Sequence, residues 1–445
     1  MSIGILKPTE KRARLVGFLL LGAFGLFLVA GGMSIPFFFE SFSIKYKFGF
    51  HRALLRSGKV IGIVAGVLLF LQLVLVSRLG ALNRWVGMDQ LVQWHRKNGI
   101  FLAFLALSHP LFIFGPEDIQ TLPISWEFWP EVVGALLLMG LFYMVASGLL
   151  KTWLAFPFHL WMRAHRFGGG FLILAFFVHL LFSSESFEEG LPRLAGLVLA
   201  LASIVLLLWR HLPFFRPLSR WAVSGVFPAG VQTTQLVLSS EEKKKFLFFP
   251  GQFVFLQFFD SEISSEAHPF TVASAPTSNQ LEFFIGSHGD WTSQLKRVKA
   301  GDAVRVEGPY GRFSYLVLSD ERPLLFIAGG VGVTPMLSML RFLKENDGKR
   351  RVRLVWSVRT PHHLFCVSEL SRFQESMDGF SMHLLFSHGL GGRRLDQEAL
   401  SQFVEEFLDA EVFLCGPPPM MRDVGRILVD LGIGKSRIYT EVFGF

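Results

Sequence analysis

The distribution of hydrophobic and polar residues divides the chain into two halves. Before residue 210, apolar runs such as Leu15 to Phe39 and Val60 to Val76 carry almost no charge. Runs of this length span the roughly 30 Å core of a bilayer when they are helical. The pattern predicts transmembrane helices at residues 14–38, 58–77, 92–115, 131–152, 166–184 and 192–210.

The second half alternates short apolar and polar segments. Residues 213–235 are interpreted as a linker because they contain Pro213, Pro217 and Pro228. The segments that follow predict strands of a small antiparallel barrel, at Thr233–Leu238, Gly251–Phe259, Leu281–Ile285 and Ala303–Glu307. From Pro323 a strand, a glycine loop and a helix precede further strand–helix alternation, which is typical of a nucleotide-binding α/β domain.

The predicted fold class is a multi-domain membrane protein with three parts. These are an all-α six-helix transmembrane bundle (1–212), an antiparallel β-barrel (213–320) and an α/β nucleotide-binding domain (321–445).

Composition narrows the possible functions. The 445 residues carry a formal net charge of +8, and 51% of them are hydrophobic. The basic residues cluster at the ends of apolar runs, as in membrane flanks, which argues against a nucleic-acid partner and for membrane lipid. Cys366 and Cys415 are too few for an iron–sulfur cluster or a four-thiolate zinc site. The first apolar run lacks a small-residue cleavage pattern, so we interpret it as a retained helix rather than a signal peptide.

Two predicted spans each carry a pair of histidines fourteen residues apart, namely His95 with His109 and His165 with His179. Fourteen helical residues rise about 21 Å and complete nearly four turns, so both imidazoles of a span point off the same face. A single intramembrane histidine often hydrogen-bonds a neighbouring helix, but four at one repeated spacing favour metal ligation. Two such helices side by side have the geometry to hold two haems, with two axial imidazoles for each iron.

Glycines follow the first histidine of each pair. Gly99 and Gly169 lie four residues beyond it, where a porphyrin edge needs clearance, although membrane helices also use glycine for close packing. Phe171 is interpreted as a packing residue rather than as an electron stepping-stone between haems.

Loop charges predict the orientation of the spans. The loops before the third and fifth spans and after the sixth are basic, and those after the third and fifth are acidic. By the positive-inside rule, the N-terminus and the second half are cytoplasmic, on what we take to be a bacterial cytoplasmic membrane. The third and fifth spans then run parallel, which pairs His95 with His165 at the inner level and His109 with His179 at the outer level.

Residues 40–59 should lie outside but are basic. We interpret them as a re-entrant or interfacial segment. In the alternative interpretation, Arg56 neutralises the propionates of an outer haem.

A glycine loop opens the α/β domain. Ala328 to Pro335 follows the apolar strand Leu324 to Ile327 and precedes a helix that is predicted to begin at Met336. Glycines let backbone amides approach phosphates at a helix N-terminus. The residues predicted to bind the nucleotide here are Gly329, Gly330, Gly332, Val333, Thr334 and Pro335.

The segment from His268 to Pro276 carries a family resemblance. Its sequence, HPFTVASAP, resembles the flavin-binding HPFT-x-x-SAP stretch of the NADPH oxidase and ferric reductase family. That family joins a six-helix bis-haem membrane domain to a ferredoxin-reductase-type FAD/NAD(P) module. Because the four-histidine pattern resembles it too, the resemblance covers nearly the whole chain. It implies FAD, two b-type haems and NADPH or NADH as cofactors.

The resemblance also implies roles for individual residues. Thr271 hydrogen-bonds the flavin near N5, and a terminal aromatic, Phe443 or alternatively Phe445, covers the ring. Gly289-Asp290-Trp291-Thr292 resembles the G-D-W-T beside the FAD pyrophosphate. The chain departs from the family at Gly286, where Lys or Arg is usual, and His288 would compensate weakly. The implied FAD-binding residues are His268, Pro269, Phe270, Thr271, Ser274, Gly289, Asp290, Trp291, Thr292 and Phe443.

Further nicotinamide contacts are implied in the α/β domain. Cys415-Gly416-Pro417 resembles a turn that places cysteine near the nicotinamide C4, where it need not act as a nucleophile. Ser357 and Arg359 follow the next strand and suit a 2′-phosphate, which favours NADPH over NADH, although Arg359 is equally interpretable as a surface residue.

The resemblance implies that electrons pass from cytoplasmic NAD(P)H through FAD and the haems to an outer acceptor, either O2 or a ferric chelate. Ile113 stands where animal oxidases have a further histidine, whereas Arg56 resembles a basic residue that they keep. Oxygen, giving superoxide, is preferred because nothing resembles a chelate-binding surface. No regulatory motif is present, so no obligate protein partner is expected. The alternative of another class is a non-catalytic haem-binding or proton-conducting membrane protein.

Overall fold

The computed structural model describes residues 9–40, 47–115, 126–150, 153, 158–212, 218–240, 245–259, 261–287, 289–318, 321–346, 349–389, 392 and 394–442. The predicted roles of His288, Phe443 and Phe445 therefore fall outside the described residues. The chain divides into two compact units, residues 11–216 and residues 217–445, the first ten residues being grouped with the latter. The three predicted domain boundaries remain predictions.

The first unit is helical. Its helices are α1 (Thr9–Phe38), α2 (Gly49–Leu75), α3 (Gly80–Trp85), α4 (Met88–Phe114), α5 (Trp129–Leu150), α6 (Phe158–Ser183) and α7 (Gly190–His211). All except α3 are long and apolar enough to cross a membrane, which confirms the six predicted spans.

Helix α2 begins earlier than the hydrophobic pattern suggested. The predicted start was residue 58, but the helix begins at Gly49 and includes Arg52 and Arg56. Residues 49–59 are therefore helical and continuous with the second span, and their interfacial location stays a prediction. Charged side chains at the end of a membrane helix can extend toward the interface. They therefore interrupt the apolar pattern of the sequence although the helix continues.

Glycines allow the helices to approach one another closely. A Cβ added at Gly140 of α5 would lie 2.7 Å from Leu172 Cδ2 of α6. A Cβ added at Gly32 of α1 would lie 2.7 Å from Ile63 Cγ2 of α2. Since lipid chains are as apolar as the side chains, such close packing is a main source of helix association in a membrane.

The second unit begins with an antiparallel sheet. Its strands are β1 (Leu218–Pro228), β2 (Thr233–Ser239), β3 (Phe253–Phe259), β4 (His268–Thr271), β5 (Gln280–Gly286) and β6 (Ala303–Tyr310), and the short helix α8 (Asp290–Ser293) precedes β6. The strand order is β4-β3-β6-β1-β2-β5.

The predicted linker over residues 213–235 is wrong for Leu218–Pro228. These residues form β1, which pairs with both β2 and β6. Trp221 and Val223 are buried, and Pro228 stands at the end of the strand, where proline is tolerated. The prolines therefore mark the limits of a central strand.

The remainder forms a parallel α/β sheet. Its elements are β7 (Leu324–Gly329), α9 (Thr334–Asn346), β8 (Val352–Val358), α10 (Val367–Ser376), β9 (Phe380–Phe386), α11 (Gln397–Val404), β10 (Glu411–Gly416), α12 (Pro418–Asp430) and β11 (Ile438–Val442). The sheet order is β11-β10-β7-β8-β9. The direction of winding reverses between β7 and β10, and in such sheets ligands bind beyond the carboxyl ends of the strands at this point.

Candidate functional site

His95 of α4 and His165 of α6 face each other. Their ring centroids are 6.0 Å apart, with planes inclined by 75°. Both Nδ1 atoms are buried without a hydrogen-bond partner in the part of the chain that the structure describes. Arg210 of α7 is close enough to interact electrostatically with both rings. Two facing imidazoles with buried, uncommitted nitrogens fit the ligation of one haem iron.

His109 and His179 form a second level. His109 Nδ1 lies 2.8 Å from the carbonyl oxygen of Gly58, and His179 Nδ1 lies 2.8 Å from that of Pro130. The two residues lie on α4 and α6, fourteen residues beyond His95 and His165 respectively. An Nδ1–H that donates to a carbonyl leaves the Nε2 lone pair for a metal, which is the usual arrangement of a metal-ligating histidine. This pair therefore also fits haem ligation.

The residues described contain no cluster of three or more His, Cys, Asp or Glu side chains that would hold a bare metal ion. A haem iron needs only two axial ligands from the protein, because the porphyrin supplies the other four. The paired histidines therefore match haem better than an isolated metal ion.

In the structure the neighbour of Gly99 is the Gln72 side chain, where the sequence predicted clearance for a porphyrin edge. A Cβ added there would lie 2.8 Å from Gln72 Nε2, which donates a hydrogen bond to His95 O at 3.0 Å. At Gly169, an added Cβ would make an ordinary contact with Met144 Cε at 3.6 Å. Phe171 is 71% exposed in the bundle, which suits a lipid-facing side chain rather than one stacked between the histidine levels.

Arg56 is already paired. It donates a hydrogen bond to Glu40, to which Arg52 also donates at 2.8 Å, and its guanidinium lies 5.2 Å from the centre of the Phe37 ring. Glu40 has a pKa below its ordinary value of 4.5, first because of the hydrogen bond from Arg52. Lys59 donates to Ser186 Oγ at 3.1 Å. Much of the basic charge of this region is thus engaged within the protein.

The strand β4 carries the predicted flavin contacts. Thr271 ends it opposite Phe253 of β3, and its Oγ1 is buried without a partner among the residues described. A buried hydroxyl without a partner is costly, so its presence fits a bound group that supplies a hydrogen bond. His268 is largely buried, and this burial lowers its pKa below 6.5 against the opposing effect of Glu266.

Trp291 supports β4 from the core. Its ring lies 4.2 Å from that of His268 and 5.7 Å from that of Phe270, centre to centre, and its Nε1–H donates to Ser264 O at 2.9 Å. The indole is 8% exposed, so it positions the strand and offers little ring surface to a ligand.

The neighbouring G-D-W-T residues form a tight turn. The Gly289 N–H donates to Thr292 Oγ1, and the Thr292 hydroxyl donates to Gly289 O, both at 3.1 Å. Asp290 is exposed and begins the one-turn helix α8. The hydroxyl of Thr292 thus helps to shape the turn.

The segment after β4 is held by α9, a connection that the sequence motifs did not suggest. Ser338 donates to Ser274 O at 2.7 Å, and Arg341 Nη1 donates to Ala273 O at 2.9 Å. Ser338 and Arg341 are three residues apart and therefore share one face of the helix. Two polar residues at this spacing in the largely apolar stretch from Met336 to Leu343 are the signal that the sequence offers.

The glycine loop lies where the sheet reverses. Gly329 ends β7, Gly330 has a φ of +56°, and α9 begins at Thr334, two residues earlier than predicted. Trp356 Nε1 donates to Gly330 O at 2.9 Å and braces the loop from β8. Backbone amides at the start of a thirteen-residue helix fit a nucleotide phosphate.

The Cys415–Gly416 turn packs against this loop. A Cβ added at Gly416 would lie 3.1 Å from Gly329 Cα, and one added at Gly332 would collide with Cys415 O. Burial, and then the charge of Glu441, raise the pKa of the Cys415 thiol well above its ordinary value. The thiol is protonated at neutral pH, so it suits a packing contact and not a nucleophile.

The remaining nucleotide contacts lie at the end of β8. Ser357 pairs with Gly329 across the sheet and is half-buried, and Arg359 is exposed just beyond the strand. Both positions are open to a ribose at the carboxyl edge of the sheet.

Three family models match successive parts of the chain. They are a ferric reductase like transmembrane component over residues 61–176, an FAD-binding domain over 229–314 and an oxidoreductase NAD-binding domain over 326–426. The first match contains His95, His109 and His165, and it ends three residues before His179.

Curated relatives resemble about half of the chain. The glycine betaine monooxygenase reductase subunit of Pseudomonas aeruginosa is 34% identical over 215 residues, which cover 45% of this chain and 57% of the relative. The anthranilate 1,2-dioxygenase electron transfer component of Acinetobacter baylyi is 32% identical over 235 residues, covering 50% and 66%. The match thus spans less than two thirds of each of these proteins.

Two solved structures match different shares of the chain. The FAD/NAD-binding domain of the nitric oxide dioxygenase from Vibrio cholerae matches 51% of this chain and 99% of its own at 23% identity, with a TM-score of 0.43. Flavohemoglobin from Malassezia yamatoensis matches 91% and 100% at 18% identity, with a TM-score of 0.48.

In its domain content the chain resembles a membrane oxidoreductase. The order of a ferric reductase-like transmembrane domain, an FAD-binding domain and an NAD-binding domain is that of a ferric-reductase or NADPH-oxidase-type fusion. The six apolar helices, the antiparallel sheet and the parallel sheet match this order, as the sequence predicted.

Proposed function

We propose that the protein moves electrons from NAD(P)H in the cytoplasm across the membrane to an acceptor on the outer face, with O2 as that acceptor and superoxide as the product. When bound, FAD would accept a hydride and release single electrons, and two b-type haems would transfer one electron at a time.

The observation that carries the proposal is the arrangement of the four histidines in two levels. His95 and His165 form one pair and His109 and His179 the other, along the same two helices. The chain leaves the bundle at the end of α7, where Arg210 interacts with the first pair. The FAD- and NAD-binding domains follow directly in sequence, which supports electron entry at the His95–His165 level.

Each group of residues has a separate task in this proposal. Gly329, Gly330, Gly332, Val333, Thr334 and Pro335, with Ser357, Arg359, Cys415, Gly416 and Pro417, bind NAD(P)H. Thr271 orients the flavin through its free hydroxyl. The histidines hold haem iron, and the apolar helices exclude water from the path. Loop charges support a cytoplasmic location for the N-terminus and the nucleotide-binding domains.

The relay is tested with a His109→Ala variant in proteoliposomes. NADPH-dependent reduction of a soluble dye should persist, whereas reduction of an impermeant acceptor on the opposite side should be lost. His51→Ala is the matched control, because His51 is exposed at the start of α2 and belongs to neither pair. Reduction of the impermeant acceptor by His109→Ala at the rate of the unmodified protein would reject the relay.

The acceptor is tested separately. The purified, flavin-supplemented protein is reduced anaerobically with NADPH while its haem spectrum is recorded, and oxygen or a ferric chelate is then admitted. Rapid reoxidation by oxygen, with superoxide formed, is the expected result. Reoxidation by the chelate alone would make the protein a ferric reductase with the same relay.

A further inference from the structure

The outer histidines are held by matching backbone features on two different helices. On α2, Gly58 O accepts from His109, and a glycine, Gly62, follows four residues later. On α5, Pro130 O accepts from His179, and Gly134 follows four residues later.

The glycines stand where a side chain would block the imidazoles. A Cβ at position 62 would lie 2.6 Å from His109 Cε1 and 2.7 Å from Nδ1. A Cβ at position 134 would lie 2.6 Å from His179 Cε1 and 3.0 Å from Nδ1. Real Cβ atoms do not approach this closely, and a rigid ring cannot bend away.

Helix geometry explains the spacing of four residues. The Cα–Cβ bonds of a helix tilt toward its N-terminus, so the side chain of residue i+4 covers the carbonyl oxygen of residue i. Glycine at i+4 uncovers that oxygen and allows a second donor to reach it alongside the helical N–H. The same arrangement occurs on α4. Gly99 follows His95 by four residues, and the Gln72 side-chain amide donates to His95 O beside it.

We propose that Gly62 and Gly134 are positioning residues for the outer ligands. They uncover the Gly58 and Pro130 carbonyls, which fix the Nδ1–H tautomer and the ring orientation of His109 and His179 and so leave the Nε2 lone pairs available to bind haem iron. The inference rests on the proposed function, because it concerns ligands of the outer haem. Glycine is less favourable than alanine inside a helix, and the contacts at positions 62 and 134 give a physical reason for its use there.

The test compares three alanine variants of the full-length protein in detergent. Gly62→Ala and Gly134→Ala each should reduce haem content from two to one per chain, measured as pyridine haemochrome per protein, and remove one low-spin ferric signal from the electron paramagnetic resonance spectrum. Gly148→Ala is the matched control on α5, because its Cβ would only touch Trp161 at 3.8 Å. It should keep both haems.

Three further measurements separate positioning from misfolding. FAD content and dye reduction should remain unchanged in Gly62→Ala, and its haem spectrum should match that of His109→Ala. If Gly62→Ala and Gly134→Ala keep two haems and unaltered resonance signals, the inference is wrong. If the unmodified protein itself binds no haem, the proposed function fails instead.

Discussion

Arg341 joins three segments of the second unit, and its removal should be severe. From α9 it donates to Ala273 O at 2.9 Å, to Glu282 of β5, and through Nε and Nη2 to the two carboxylate oxygens of Glu369 on α10, both at 2.7 Å. The side chains of Arg341 and Glu282 are 15% exposed and that of Glu369 is 24% exposed.

The change Arg341→Met leaves both carboxylates largely buried without this cation. Removing one partner of a buried ion pair costs about 3–5 kcal/mol. Because the group is not fully buried, we take the lower end. With roughly 2–4 °C per kcal/mol for a domain of this size, about 3 kcal/mol corresponds to a fall in Tm of roughly 6–12 °C.

The assay is thermal unfolding of the full-length protein in detergent, followed by flavin and tryptophan fluorescence. Arg372→Met is the matched control, because Arg372 is exposed on α10 and, among the residues that the structure describes, donates only to Ser368 O of its own helix. The triple change Arg341→Met, Glu282→Gln, Glu369→Gln should recover part of the loss, since it removes the unpaired charges. An Arg341→Met transition within 1–2 °C of that of Arg372→Met would refute the reasoning.

Three other outcomes follow from the site. Burial raises the pKa of Cys366 to about 12 and raises that of Cys415 well above its ordinary value. Both thiols should therefore resist alkylation at pH 7.5 in the folded protein and react after denaturation. Rapid labelling of the folded chain would contradict this. The pKa of His268 is lowered in the folded state, so the unfolded chain binds more protons below about pH 6.5, and stability should fall as pH decreases from there. His268→Gln should make the free energy of unfolding depend less on pH in unfolding titrations between pH 5 and 7. An unchanged dependence would show that other groups cause it. The Thr271 hydroxyl has no partner among the described residues, so Thr271→Val should leave thermal stability unchanged or higher. The same change should slow flavin reduction by NADPH in stopped-flow measurements. An unaltered rate would exclude a role at the flavin.

The failures of the sequence-based prediction had identifiable physical causes. The start of α2 was placed at residue 58 because Arg52 and Arg56 interrupt the apolar run, yet Glu40 pairs with both and the helix extends to Gly49. The strand β1 was missed because prolines near both of its ends suggested a linker, whereas its interior alternates inward and outward side chains.

The sequence alone determined the architecture and the kind of chemistry. Hydrophobic run length specifies membrane helices, a fixed spacing puts two histidines on one helix face, and a glycine loop between strand and helix specifies a phosphate site, because each depends on local geometry. Only the tertiary structure decided which side chains those features meet. That Gly62 and Gly134 uncover carbonyls for His109 and His179, and that Ser338 and Arg341 hold the segment after β4, depends on contacts between residues 45 to 68 positions apart. Apart from the three-residue spacing of Ser338 and Arg341, such contacts leave no periodic trace in the sequence, since each is made once and depends on how whole elements pack.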